Sequence, residues 1–167
     1  MKLAPVVLVA VTLLGAGLDD ELVGAARRGE LEAVKSLVAK GASVNATYRY
    51  GQTALYIASA NGHAEVVRFL ADKGADVNVT DTFYKSSALA WSAGKGHVGT
   101  VRVLLEKGAT GVAEVLRGGV SAGNLELVQA GVEAGKPKQE DLDRALAFAL
   151  KQKQEAISEY LKKVGAK

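Results

Sequence analysis

The chain has 167 residues, 49% of them apolar and 23% charged, with 2 prolines, 19 glycines and a formal net charge of +3. That balance excludes a disordered, collagen-like or polyproline chain, and the length suits about one domain. Cysteine is absent and histidine occurs only twice, which excludes disulfide frameworks, thiolate zinc sites, cysteine nucleophiles and three-histidine metal centres.

The first segment differs from the rest. Met1 and Lys2 give a short positive start, Leu3 to Leu14 is mostly apolar, and Gly15-Ala16-Gly17 supplies small residues before Asp19-Asp20-Glu21. This order reads as a secretory signal peptide over 1–17, cut after Ala16 or Gly17. A membrane anchor needs about 20 apolar residues, and this run is shorter and contains Pro5. A buried first helix matches these flanks less well. The expected location is periplasmic or secreted, with one domain over 18–167. A sufficient core makes disulfides unnecessary there.

The domain repeats itself. Lys40-Gly41-Ala42-Ser43-Val44-Asn45 recurs 33 residues later as Lys73-Gly74-Ala75-Asp76-Val77-Asn78. Ala25, Gly29 and Val34 answer Ala58, Gly62 and Val67, and Lys107-Gly108-Ala109 answers Lys73-Gly74-Ala75 after one inserted residue. Fainter copies start at Gly123-Asn124-Leu125 and at Gln154-Glu155-Ala156. Each copy reads as two helices. In the second copy, Thr53 is placed to cap a short helix ending at Asn61-Gly62. The next helix runs to about Asp72, with Val66, Val67, Phe69 and Leu70 as its apolar stripe. Lys73 complements the helix C-terminus and Gly74 stops it. One pair cannot bury its apolar face alone, whereas stacked pairs can.

The stretch Gly51-Gln52-Thr53-Ala54-Leu55-Tyr56-Ile57-Ala58-Ser59-Ala60-Asn61-Gly62-His63-Ala64-Glu65-Val66-Val67, with Gly74-Ala75-Asp76-Val77-Asn78, resembles the ankyrin repeat family. The resemblance is strong over about 19–109 and weak over 110–167. It implies an all-α solenoid of about five helix-turn-helix repeats with short β-hairpin loops, the terminal repeats being degenerate caps. Lys151, Lys153, Lys162, Lys163 and Lys167 suit a polar outer cap. The chain departs from the family where Ala54 and Ala88 replace its proline and Tyr56 and Ala90 its histidine. The spacing from Gly108 to Gly135 falls to 27, so the loop between the third and fourth copies is expected to lack a full hairpin.

Motifs for chemistry dissolve on inspection. Gly94-Lys95-Gly96-His97-Val98-Gly99 matches a dinucleotide fingerprint but lacks the strand before it. Asn45-Ala46-Thr47 and Asn78-Val79-Thr80 are glycosylation sequons at a repeat position that structure alone explains. His63 and His97 are equivalent turn residues expected to bond the neighbouring loop rather than to hold a metal. Glu32, Glu65, Glu126 and Glu155 recur at helix starts, where they complement the dipole. No enzyme, cofactor or metal is expected.

What remains is a binding surface. The resemblance implies a concave face made by the loop tips and the first helices. Carried over position by position, that face holds Arg27 and Arg28 in the first copy and Thr47, Arg49, Tyr50, Gln52, Ala60 and Asn61 in the second. In the third it holds Phe83, Tyr84, Ser86, Gly94 and Lys95. Tyr48, Tyr50, Phe83 and Tyr84 fall in loops where no core demands them, and aromatics beside arginine are enriched in interface hot spots. The alternative is that they stiffen the loops by packing on one another, and the two roles can coexist. Trp91 sits on a first helix at a position usually half-buried and is expected to pack in the core. The expected partner is a protein, with an acidic or amphipathic segment in the groove, bound by a monomer without membrane or nucleic acid. Two other classes stay open. One is a regulatory or scaffolding domain of a larger exported assembly or enzyme, told apart by whether a stop codon or a Pro-rich linker comes after Lys167. The other is a single-stranded nucleic-acid binder that stacks bases on aromatics.

Overall fold

The computed structural model describes the backbone of residues 5–167 and the side chains from Gly17 onward. Apart from its helical backbone from Pro5, the leader expected over 1–17 lies outside the described residues. Among the described residues there are ten α-helices: α1 (Pro5–Arg28), α2 (Leu31–Ala39), α3 (Ala54–Ala60), α4 (Ala64–Asp72), α5 (Ala88–Gly94), α6 (Val98–Glu106), α7 (Val112–Ser121), α8 (Leu125–Gly135), α9 (Gln139–Lys151) and α10 (Glu155–Lys163). Each odd-numbered helix packs on the even-numbered helix that follows it. Odd helices also pack on odd and even on even. The result is five helix pairs stacked in two layers. Among the described residues no helix is long and apolar enough to cross a membrane.

Local chemistry sets the helix ends. Thr53 Oγ1 accepts from the Tyr56 N–H at 3.2 Å, Ser87 Oγ from the Ala90 N–H at 3.1 Å, and Asn124 Oδ1 from the Leu127 N–H at 2.9 Å. Each satisfies a free donor of a first helical turn. After α4 the chain turns at Gly74 with φ 86°, a region glycine enters without a Cβ penalty. Glu32, Glu65, Glu126 and Glu155 lie in the first turns of α2, α4, α8 and α10.

The core is a line of buried side chains with no single centre. Leu55, Leu70, Leu89 and Leu104 are fully buried in one cluster, and Leu146, Ile157 and Leu161 lie in a second that adjoins it at α7. Asn45 and Asn78 tie the loops together. Asn45 donates to the Gly74 carbonyl at 3.0 Å and accepts the Asp76 N–H at 2.9 Å, and Asn78 accepts the Thr110 N–H at 2.8 Å. Both sequon asparagines therefore have the structural job expected of them. Ion pairs Arg68–Glu106, Lys107–Asp72 and Arg102–Glu133 bridge successive outer helices, each exposed and contributing at most about 1 kcal/mol.

The loops correct one expectation. Instead of β-hairpins, the described residues contain a single isolated antiparallel bridge, Thr80–Ser87. Asp81 lies inside that bridge: its N–H donates to the Ser86 carbonyl at 3.0 Å, and its carboxylate takes the N–H groups of Phe83, Tyr84 and Ser86 across the tip. The loop is shortened where the short spacing placed it. Residues 107–111 join α6 to α7, against 73–87 between α4 and α5, and 136–138 join α8 to α9.

Gly119 lets α7 and α8 approach. A Cβ there would stand 2.7 Å from Val128 Cγ2 and 3.1 Å from the Val128 backbone nitrogen, whereas one at Gly118 would meet nothing within 4 Å. Better helix propensity contributes about 1 kcal/mol, and overpacking costs about 1–3 kcal/mol. Gly119→Ala should therefore lower the urea midpoint and Gly118→Ala raise it; equal shifts would refute the close-approach argument.

Candidate functional site

The 3₁₀ turn Arg49–Gly51 places Tyr50 in left-handed backbone at φ 59°, ψ 29°, which turns its ring out of the stack. Phe83 and Tyr84 occupy the tip of the next loop, and Trp91 lies on α5. Their rings form a continuous row. Tyr50 and Phe83 have centroids 5.8 Å apart, Phe83 and Tyr84 4.6 Å, and Tyr84 and Trp91 5.8 Å, with interplanar angles of 60°, 81° and 71°. This edge-to-face geometry suits the ring quadrupoles. The rings do pack on one another, yet Tyr50, Phe83 and Tyr84 remain 61%, 67% and 68% exposed. A contiguous apolar patch of this kind is the feature that marks interaction surfaces. Trp91 is half-buried, as its first-helix position suggests: it packs against the core cluster and also completes the row.

Cations border the row. Lys95 Nζ lies 5.8 Å from the Trp91 ring centroid and donates to the Ala60 carbonyl at 3.0 Å. The Arg49 guanidinium lies 5.7 Å from the Tyr48 ring centroid, and Lys85 is exposed. Segments 47–61 and 82–96 contain no aspartate or glutamate.

Beneath the tip sits Asp81, 2% exposed. Its Oδ1 accepts from the N–H groups of Phe83 (2.9 Å) and Tyr84 (2.5 Å). Its Oδ2 accepts from the Tyr56 hydroxyl (2.9 Å), the Ser86 N–H (3.1 Å) and the Trp91 indole at 3.5 Å. Burial pushes the Asp81 carboxyl pKa up. The hydrogen bonds from Tyr84, Tyr56, Ser86 and Trp91 outweigh burial together and hold it down at about 2. Tyr56, which stands where the family has histidine, is buried. Burial first, then its bond to Asp81, raises its pKa well above the usual tyrosine value.

The remaining expected residues are less coherent. Thr47 is exposed; Gln52 is half-buried and its carbonyl accepts the Tyr48 N–H at 2.7 Å. Ser86 is half-buried with its backbone tied to Asp81, and the Asn61 amide donates to the Ile57 carbonyl at 2.7 Å. Arg28 is held by Glu30 through two bonds of 2.7 and 2.8 Å, and the Arg27 carbonyl accepts from His63 Nε2 at 2.9 Å. Among the described residues no ring contact or hydrogen bond joins Arg27 or Arg28 to the aromatic row. The His63 bond is the turn-histidine role expected from sequence. His97 holds the matching place over Gly62, with Nε2 buried and unpartnered.

Sequence reasoning missed Asp81 and the tyrosine below it. It also missed a groove of about 240 Å³ between α7 and α9, floored by Leu116, Ala145 and Phe148. Its walls carry Glu114 and Asp141 against Arg117 and Arg144, so it lacks the cation surplus of the aromatic row.

No curated protein matches the chain. Residues 22–114, more than half of its length, match the family described as ankyrin repeats, in three copies. With helix pairs stacked in the order that match requires, the chain belongs to the ankyrin repeat family.

Proposed function

We propose that this chain is an exported module that holds an acidic or amphipathic protein segment on the face bearing Tyr50, Phe83, Tyr84 and Trp91, without chemistry of its own. Ankyrin repeats in general are protein–protein interaction modules and typically non-catalytic. The observation that carries the finer reading is an exposed aromatic row bordered by Arg49, Lys85 and Lys95 with no acidic residue on the same segments. Rings supply contact area at low entropic cost, and the cations steer an acidic partner. Arg27, Arg28, Thr47, Gln52, Asn61 and Ser86 form the margin of this surface, and the chain acts as a monomer.

The test uses a phage-displayed peptide library. Selected peptides should be acidic with apolar anchors, and replacing Tyr50, Phe83 and Tyr84 together by alanine should weaken them about 100-fold or more. The thermal midpoint should move by no more than about 3 °C, as for exposed sites. Unchanged peptide binding with a collapsed midpoint would assign the rings to loop packing, and salt-sensitive capture of generic single-stranded oligonucleotides would favour nucleic acid. Export predicts a mature chain beginning at Gly17 or Leu18; N-terminal sequencing that returns Met1 from an extracytoplasmic fraction would defeat cleavage.

A further inference from the structure

We infer that Asp81 is a positioning residue for this surface, fixing the Phe83–Tyr84 tip and Trp91 in their binding arrangement before a partner arrives. The inference rests on the surface proposed above. Oδ1 of Asp81 collects the two N–H groups that carry the tip rings, and Oδ2 collects the Ser86 N–H, the Tyr56 hydroxyl and the Trp91 indole. One buried carboxylate thus joins the loop tip to a core side chain of α3 and to the inner helix α5. Its reach extends to the second copy: the Thr82 N–H, next to Asp81, donates to the Tyr50 carbonyl at 2.8 Å, and Tyr50 meets the Phe83 ring. Position 48, the equivalent 33 residues earlier, is tyrosine, so the second tip has no carboxylate of its own and leans on the third. A surface ordered beforehand loses less conformational freedom on binding.

Trp91 is the only tryptophan and reports directly on this arrangement. Full-length wild type and Asp81→Asn are compared by Trp91 emission, acrylamide quenching and titration with the tightest peptide recovered from the library. In free Asp81→Asn, quenching should rise and emission shift to longer wavelength. The peptide should bind about 10-fold more weakly, and saturating peptide should restore the wild-type emission. Wild-type emission together with wild-type affinity in Asp81→Asn would overturn the inference. Should that variant not fold, amide hydrogen exchange in the wild type decides. Slow exchange at Phe83 and Tyr84 supports the inference, and exchange at the rate of an open loop overturns it. The two proposals fail differently. The surface reading fails if the triple alanine variant keeps the peptide, and Asp81 loses its role if that variant releases the peptide while Asp81→Asn retains it.

Discussion

Asp81→Ala should lower the thermal midpoint by about 5–10 °C, a large effect for one residue in a chain of this size. Alanine removes the acceptor of five donors and leaves the Tyr56 hydroxyl facing a void. An unsatisfied buried donor carries its full desolvation cost. Tyr56→Phe, which keeps the ring and deletes one bond to the carboxylate, should cost about 1.5–3 kcal/mol. The pH dependence follows from the two pKa shifts. Asp81 is held at about 2 against an ordinary 3.8, so its stabilisation is whole above pH 3.8 and is lost as pH falls towards 2. Tyr56 is raised above its ordinary 10, so its stabilisation is whole below pH 10 and is lost as pH rises beyond it. Thermal midpoints recorded from about pH 2 to about pH 11 should fall at both ends. Asp81→Ala should flatten the acid arm, and Tyr56→Phe the alkaline arm; unchanged arms in both variants would remove the pair from the account of stability.

The difference between what was legible and what was not follows the distance over which each interaction acts. The stack was readable because every pair must offer the same apolar positions to its neighbours, which stamps a 33-residue period on the chain. The Thr53 cap, the Gly74 stop and the shortened loop after α6 are local and equally visible. The exposed rings could be read because a loop tip has no core to bury them. Asp81 was hidden because Tyr56 lies 25 residues before it and Trp91 ten after it, and only the stacking brings them together. A local trace did exist: an aspartate whose side chain can accept from N–H groups two, three and five residues on is a turn signal. Turn composition also predicts hairpins where the described residues hold one isolated bridge, Thr80–Ser87. Turn composition does not say whether free amides go to a strand partner or to a carboxylate. The half-burial of Trp91 is readable from its place on a first helix, while its outward edge depends on Tyr84 from the preceding loop.

The second large effect is expected in the middle of the stack. Leu104 on α6 is fully buried, and α6 packs on α4, α5 and α8. Leu104→Ala should cost about 2–5 kcal/mol, because the transfer loss is joined by a cavity that packed helices cannot fill. In a linear array stability is a sum over units and their contacts, so hydrogen-exchange protection should fall in α4, α5 and α8 as well as in α6. Leu150, 52% exposed on α9, is the control, and Leu150→Ala should stay within about 0.5 kcal/mol. A loss confined to α6 would contradict nearest-neighbour coupling.

The abrupt shortening of the loops after α6 bears on register. A periodic scaffold presents near-identical seats one step apart, and slippage of a guest from one seat to the next is its inherent hazard. Here only the loops before α3 and α5 overhang, and the exposed rings sit at those two tips. A guest on the proposed surface, shifted by one step in either direction, would lose half of its aromatic contacts, so that surface would offer it a single docking frame.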